Sequence, residues 1–189
     1  MRKRKIIIYV IVLVGFVVIN KIAYDYLDKN YVPDSQIVEE TAETDGESTD
    51  PTPAVDFTVK DTAGKDVKLS SFYGKTIILN FWASWCSNCA KQLVIYQNLY
   101  ADYGEDVVFF MVNVTDGVKE TNKSAKEYID DKGYTFPVYF DEDFEASLAY
   151  GATAIPMTYI IDKDGNLAAY GKGTISEESL RSYLTSLSE

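Results

Sequence analysis

The distribution of apolar and polar residues predicts a chain in which short strands alternate with amphipathic helices. Residues 76–82 form an apolar run rich in β-branched and aromatic side chains, as expected of a buried strand. The run that follows, residues 90–100, has apolar side chains at helical spacing: Leu93, Tyr96, Leu99 and Tyr100. A second buried strand is predicted over residues 106–114. Strand, helix and strand in this order predict a βαβ unit with parallel strands and a right-handed crossover.

Further short elements are predicted on either side of this unit. Residues 57–59 and 66–69 flank a turn at 63–65, which predicts an N-terminal β-hairpin. After the βαβ unit we expect an inserted helix over residues 119–132, ended by Gly133, and then a short strand over residues 137–140.

The C-terminal part completes the predicted core. A helix is expected from residue 142 to 150, with Asp141 as its N-cap. Residues 157–161 are predicted to form a third core strand, which turns at 162–166 into an antiparallel partner over 167–170. Ser176 is expected to cap a final helix.

The N-terminus has a different pattern. The sequence Met-Arg-Lys-Arg-Lys precedes 14 apolar residues, from Ile6 to Ile19, which is typical of a membrane-targeting segment whose basic end stays in the cytoplasm. No pair of small residues stands at the −3 and −1 positions of a cleavage site after this run. We therefore expect an uncleaved membrane anchor over residues 1–27, rather than a signal peptide that is removed.

Composition separates this anchor from the globular part. Residues 30–59 contain eight acidic side chains and no basic one, so residues 28–54 are predicted to be a solvated, flexible acidic linker. The domain is then expected to occupy residues 55–189, outside the cytoplasmic membrane. A net charge of −11 argues against a nucleic-acid partner, and the absence of histidine excludes Cys-His catalysis and His-ligated metals.

The candidate chemistry is a cysteine pair. Cys86 and Cys89 are the only cysteines in the sequence, and they lie where the predicted central strand leads into a helix. Unpaired N–H groups and the helix dipole favour a thiolate at this position, which lowers the thiol pKa from about 8.5. Two thiols three residues apart, one of them activated, are suited to disulfide exchange.

Two structural interpretations of the pair are weaker. A structural zinc site needs four Cys or His ligands, so the two cysteines would have to share the metal with a second chain. A structural disulfide that closes so short a loop contributes roughly 2 kcal/mol, against about 4.7 kcal/mol for a loop of 100 residues. A binding module with an inert disulfide stays an alternative from another functional class.

Several motifs together resemble one family. Phe-Trp-Ala-Ser-Trp-Cys-Ser-Asn-Cys at 81–89, Ala-Ile-Pro-Met-Thr-Tyr-Ile-Ile-Asp at 154–162, Asp-Gly at 164–165 and Leu-Ser-Ser-Phe-Tyr-Gly-Lys at 69–75 are similar to the TlpA/ResA-like membrane-anchored thiol-disulfide oxidoreductases of bacteria. The resemblance covers residues 55–187. It implies an α/β, thioredoxin-like fold, with a central mixed sheet flanked by helices, and no cofactor or metal.

The resemblance also implies the roles of individual residues. Cys86 and Cys89 are the expected catalytic pair, with Cys86 as the attacking thiol. Ile155 and Pro156 are expected to form a cis peptide that faces the cysteines. In the family, the backbone before this proline pairs with the substrate chain as an added strand, and Trp85 is expected to contribute to the same substrate-binding surface.

The chain departs from the family at positions expected to tune the thiols. Asn80 stands where thioredoxins have a buried aspartate, and Gln92 and Val94 stand where this subfamily often has glutamate and proline. The Cys89 proton is therefore accepted either by another acid or by water, and the sequence leaves both alternatives open. Ser87 and Asn88, between the cysteines, include no histidine of the kind that strong oxidants of this fold often keep, which favours a reductant over an oxidase.

The function expected from the resemblance is reduction of disulfides in exported proteins. Apocytochrome c and oxidised methionine sulfoxide reductase are the substrate types that it suggests. A membrane thiol electron donor of the CcdA/DsbD type is the expected source of electrons. Disulfide formation by the same fold is the alternative direction of the reaction.

Overall fold

The computed structural model describes residues 51–187, together with Lys21 and the backbone of Val38 and Glu39. The strands in this part of the chain are β1 (Val38–Glu39), β2 (Thr58–Lys60), β3 (Asp66–Lys68), β4 (Thr76–Trp82), β5 (Val107–Val114), β6 (Val138–Asp141), β7 (Met157–Ile161) and β8 (Leu167–Lys172). The helices are α1 (Ser87–Tyr103), α2 (Asn122–Lys132), α3 (Glu145–Ala149) and α4 (Glu177–Ser186), and a 3₁₀ turn covers Leu69–Phe72.

All the strands form one mixed sheet in the order β1-β8-β7-β4-β5-β6-β2-β3. Strands β4, β5 and β6 are parallel, whereas β7 runs antiparallel to β4 and to β8. The predicted βαβ unit is therefore confirmed, as are the N-terminal hairpin and the inserted helix and strand. The thioredoxin-like α/β fold, with a central mixed sheet between helices, is the observed one.

The two faces of the sheet bury different side chains. Because successive residues of a strand point to opposite faces, Ile78 packs with α1, α2 and α4, whereas Ile77 and Leu79 pack with the hairpin and α3. The first face holds both cysteines. The second face is rich in aromatic side chains, which meet mostly edge to face: Phe57, Phe72, Phe81, Phe110, Tyr139, Tyr150 and Tyr159.

Helix α2 begins at Asn122, later than the predicted start at residue 119. The Asp116 carboxylate accepts the N–H groups of residues 118–120, which commits these groups to a turn instead of a helix. Thr121 then caps the helix by accepting the N–H of Ser124, and Gly133 ends it in the left-handed conformation.

Helix α3 is shorter than predicted, and Asp141 is not its N-cap. Phe144 occupies the cap position with a φ of 58° and no capping side chain. Asp141 is the last residue of β6, yet its carboxylate still accepts the N–H groups of Ala146 and Ser147 in the first turn of the helix. The aspartate therefore satisfies the helix start from a position outside the cap.

The chain contacts the sheet before the predicted domain boundary at Val55. Leu167 donates its N–H to the carbonyl of Thr52, and Ala54 donates to that of Gly165. The predicted anchor and most of the predicted linker lie outside the described residues. Among the described residues, no helix combines the length and the hydropathy needed to cross a bilayer.

Candidate active site

The cysteine pair lies where β4 leads into α1, as the apolar pattern predicts. Cys86 is the N-cap of α1, and its Sγ accepts the backbone N–H of Cys89 at 3.1 Å. The two cysteines form a disulfide with 5.2 Å between their Cα atoms. A sulfur that accepts a first-turn N–H at a helix N-terminus is in a position that stabilises negative charge.

The two sulfurs differ in their surroundings. Cys86 is 8% exposed, whereas Cys89 is fully buried among the apolar side chains between α1 and the sheet. Next to the pair, Trp85 is 50% exposed, and Ser87 and Asn88 are exposed in the first turn of α1. The attacking role of Cys86 and the tuning roles of Ser87 and Asn88 stay predictions.

The segment before β7 faces Cys86. The peptide bond between Ile155 and Pro156 is cis, as the resemblance implies. The antiparallel register, with Phe81 opposite Met157, brings this segment to the end of β4 at which the cysteines lie. The Ile155 carbonyl oxygen is 3.7 Å from Cys86 Sγ, with Ile155 half-buried and Pro156 buried.

Asn80 takes part in a buried polar network beneath the cysteines. Its Nδ2 donates to the carbonyl of Met157 and to Thr158 Oγ1, both at 3.1 Å. Thr158 Oγ1 is also 2.7 Å from the hydroxyl of Tyr96. Burial raises the pKa of Tyr96, and the hydrogen bond to Thr158 lowers it to a lesser degree, so Tyr96 is neutral at physiological pH.

Gln92 ties α1 to the segment before α4. Its Oε1 accepts the N–H of Ile175 at 2.6 Å, and its buried Nε2 has no hydrogen-bond partner. Asn80 Oδ1 is likewise buried without a partner. Within residues 51–187, neither amide is hydrogen-bonded to a cysteine sulfur. Any influence of Asn80 or Gln92 on the thiols therefore acts through space or through packing.

A buried carboxylate near the cysteines, that of Glu120, is not among the site residues predicted from the sequence. Glu120 has no exposed surface, and its Oε1 accepts the N–H of Ser84 at 3.0 Å and the Nδ2–H of Asn113 at 2.7 Å. Its Oε2 accepts the hydroxyl of Ser84 at 2.6 Å. Glu120 therefore holds the residue that lies two positions before Cys86.

A signal for this contact exists in the sequence. Parallel pairing of β4 with β5 places Trp82 beside Asn113, so the loop after β5 must lie next to the loop that carries the cysteines. An acid in that loop is a candidate neighbour of the thiols. In the same loop, Lys119 Nζ lies 3.5 Å from the centre of the Trp85 ring, a cation–π contact.

No metal centre is evident in the part of the chain that the structure describes. No group of three or more Cys, Asp or Glu side chains there is arranged to hold a metal ion. The site as described consists of a disulfide, a cis-proline segment and buried polar side chains.

Comparison with known proteins gives relatives of one kind. Residues 51–170 match the AhpC/TSA family. A curated relative from Bacillus thuringiensis, thiol-disulfide oxidoreductase ResA, is 35% identical over 131 residues, which are 69% of this chain and 74% of the relative.

Solved structures agree with this family. StoA from Bacillus subtilis superimposes with a TM-score of 0.61 at 25% identity, over 71% of this chain and 99% of StoA. The exposed lipoprotein thioredoxin Etrx1 from Streptococcus pneumoniae has a TM-score of 0.60 at 30% identity, over 70% of this chain and 100% of Etrx1. The fold, the close cysteine pair and these relatives lead to one assignment: the chain belongs to the AhpC/TSA family and, within it, to the ResA-type thiol-disulfide oxidoreductases.

Proposed function

We propose that this thiol-disulfide oxidoreductase is an anchored, extracytoplasmic reductase of disulfides in exported proteins. The observation that carries the exchange chemistry is the asymmetry of the cysteine pair, and the absence of histidine between the cysteines favours the reducing direction. Cys86 Sγ lies at the helix N-cap, 3.7 Å from the Ile155 carbonyl, whereas Cys89 is fully buried. The first thiol is therefore suited to attack a substrate, and the second to act only after a substrate is bound.

The reaction begins with both cysteines reduced. The Cys86 thiolate attacks one sulfur of the substrate disulfide, and the other substrate sulfur leaves as a thiolate that takes up a proton. Cys89 then loses its proton and attacks Cys86 Sγ, which releases the second substrate thiol and leaves the Cys86–Cys89 disulfide. Two electrons pass to the substrate, and a membrane thiol donor of the CcdA/DsbD type restores the dithiol.

Substrate binding uses the surface around Cys86. The backbone of Ile155 pairs with an extended substrate segment, which aligns the substrate disulfide with the nearby sulfur. Pro156 fixes the course of this segment, and the half-exposed Trp85 adds an apolar contact. Apocytochrome c and methionine sulfoxide reductase are the candidate substrates. The relatives, named thiol-disulfide oxidoreductase ResA, support the reduction of a disulfide, which is the reaction that either substrate would require.

Trapping of intermediates tests the roles of the two cysteines. With Cys89→Ser, the mixed disulfide cannot be resolved, so covalent complexes with physiological partners should accumulate and be visible on non-reducing gels. Cys86→Ser, the matched control, should trap none, because its remaining thiol is buried. Equal trapping by both variants would refute the assignment of Cys86 as the attacking thiol.

The reduction potential of the pair tests the direction of electron flow. A value near −270 mV, as in thioredoxin, supports a reductase, and a value near −120 mV supports an oxidase. This interval of about 150 mV corresponds to roughly 7 kcal/mol, so the two outcomes are well separated.

The anchor is tested on the full chain. Residues 1–27 are expected to hold the uncleaved protein in the membrane fraction, with the domain open to added protease from outside. Recovery of a shortened form that begins after residue 20 would contradict an uncleaved anchor.

A further inference from the structure

The loop between β5 and α2 contacts the segment that leads to Cys86 at two neighbouring positions. Glu120 accepts both the N–H and the hydroxyl of Ser84, and Lys119 covers the ring of Trp85. We call residues 116–121 the clamp loop. Ser84 is 36 residues from Glu120 along the chain, so this contact joins two loops at the carboxyl ends of adjacent parallel strands.

We propose that Glu120 is a positioning residue that holds Cys86 at the N-cap of α1. Of the carboxylate's three hydrogen bonds, one is to the main chain of Ser84, which restrains the backbone itself. Between Ser84 and the helix the chain makes a tight turn, in which Cys86 donates its N–H to the carbonyl of Ala83. Restraint at Ser84 is therefore transmitted through this turn to the sulfur that accepts the Cys89 N–H.

The clamp loop has its own internal order. Asp116 Oδ1 accepts the N–H groups of Val118, Lys119 and Glu120 at 2.7–2.8 Å. Gly117, with a φ of 71°, donates to the carbonyl of Glu120. Because the loop is already ordered by its own hydrogen bonds, it loses little conformational entropy when it holds Ser84. Such preorganisation makes the loop suited to positioning the segment before Cys86.

Glu120 is itself well satisfied in its buried position. Its partners, the Ser84 N–H, the Ser84 hydroxyl and the Asn113 amide, all act as donors to it. A buried carboxylate is tolerated when such donors replace water. Holding the thiol segment is therefore compatible with a stable fold, and an uncharged isostere can test geometry apart from charge.

The inference rests on the proposed role of Cys86 and is tested by the pH dependence of its reactivity. Alkylation of the reduced protein by iodoacetamide, in a Cys89→Ser background, reports the Cys86 thiolate alone. Glu120→Ala should move the midpoint of this profile upward by about 0.5 pH unit, because the sulfur spends less time at the helix terminus. Glu120→Gln keeps an oxygen for the Ser84 N–H and removes the negative charge, so it should return the midpoint to the unsubstituted value or below it. Ser84→Ala should raise the midpoint by less than Glu120→Ala does.

Asp141→Ala is the matched control, since it also removes a buried carboxylate that accepts two N–H groups and a serine hydroxyl. It should lower stability without moving the midpoint. The other charged groups of the region, Lys119 and Asp116 in the clamp loop and Lys91 early in α1, are unchanged in all these variants.

Two results would overturn the proposal. An unchanged midpoint in Glu120→Ala, with reduced stability alone, would give Glu120 a role in the fold only. A midpoint that falls in both Glu120→Ala and Glu120→Gln would assign the effect to the lost negative charge near the thiolate and not to position. If Glu120→Ala does not fold, the Ser84→Ala shift decides, and its absence overturns the proposal. Failure of the proposed function can be distinguished from failure of this inference, because Cys89→Ser would then trap no mixed disulfides with partner proteins.

Discussion

Two buried carboxylates, Glu120 and Asp141, use the same chemistry in different regions of the molecule. Each accepts hydrogen bonds from backbone N–H and from a serine hydroxyl: Glu120 from Ser84, and Asp141 from the first turn of α3. Glu120 holds the segment that leads to the cysteines, whereas Asp141 holds a helix start. An acid of this kind can therefore serve either the reactive site or the fold alone, depending on the segment that it holds.

The amides beneath the cysteines are less well satisfied. Asn80 and Gln92 are as buried as the two carboxylates, but each leaves one polar atom without a partner. An unpaired buried polar atom costs about 1–3 kcal/mol. The polar side chains around the thiols therefore have fewer hydrogen-bond partners than Asp141 has at the start of α3. Substitutions in the two regions are expected to have different effects.

The largest effect is expected from Asp141→Ala. The substitution removes an acceptor for the buried residues Ala146 and Ser147, so the free energy of unfolding should fall by about 3 kcal/mol. Urea unfolding of the oxidised protein measures this change. Asp141→Asn keeps one acceptor oxygen and should lose less. A loss as small as that of an exposed substitution would show that Asp141 is not needed to hold α3.

A smaller effect, on rate, is expected from Gln92→Glu, which places a second buried acid near the thiols, with only the Ile175 N–H as donor. Burial with one donor raises the pKa of such a carboxyl. It should therefore act as a base for Cys89 only toward alkaline pH. There the resolution step should quicken about tenfold, which is below the usual range of general-base catalysis because only part of the acid is ionised.

Stopped-flow kinetics of the second step, from pH 6 to pH 9, measures this rate. In the unsubstituted protein the rate should climb with pH, since the Cys89 thiol must lose its proton. Gln92→Met, which also loses the contact with Ile175 but adds no base, should show no acceleration. A rate unchanged by Gln92→Glu across the whole range would mean that another group already accepts the proton.

The smallest effect is expected from Asp116, which accepts three N–H groups as an exposed side chain. Hydrogen bonds from the backbone, that of Glu120 foremost, lower the pKa of Asp116. A carboxyl whose pKa is lowered in the folded state stabilises the protein at pH values above the pKa of the unfolded chain, about 3.9. This contribution is lost as the pH falls through the pKa of the folded state. Asp116→Asn should therefore reduce the urea midpoint slightly at pH 7 and not at pH 2. An equal reduction at both values would contradict a contribution from the charge.

The strand and helix that carry the cysteines were predictable because local signals agree there. The apolar run of β4, the helical spacing of Leu93, Tyr96 and Leu99, and the position of Cys86 between them all indicate one arrangement. The cis peptide at Pro156 was implied by the family motif, since a sequence pattern alone permits both isomers.

Glu120 could not be recognised in the same way, because its partners are far away in sequence. The predicted helix from residue 119 placed it in a first turn, where an acid is favourable for a local reason. The observed turn instead depends on Asp116, and the contact with Ser84 depends on the pairing of β4 with β5. Tertiary contacts of this kind are not visible in local periodicity.

The position at which Thr52 and Ala54 are hydrogen-bonded to the domain bears on how a substrate protein can approach the cysteines. These residues bond to the turn between β7 and β8, and the antiparallel register puts Ile161, at the start of this turn, opposite Ile77 near the beginning of β4. The cysteines follow the other end of β4, roughly 20 Å away at about 3.3 Å per residue. Thr52 and Ala54 are thus held at the end of the sheet opposite to the disulfide, so their contacts lie away from the surface that a substrate protein has to approach.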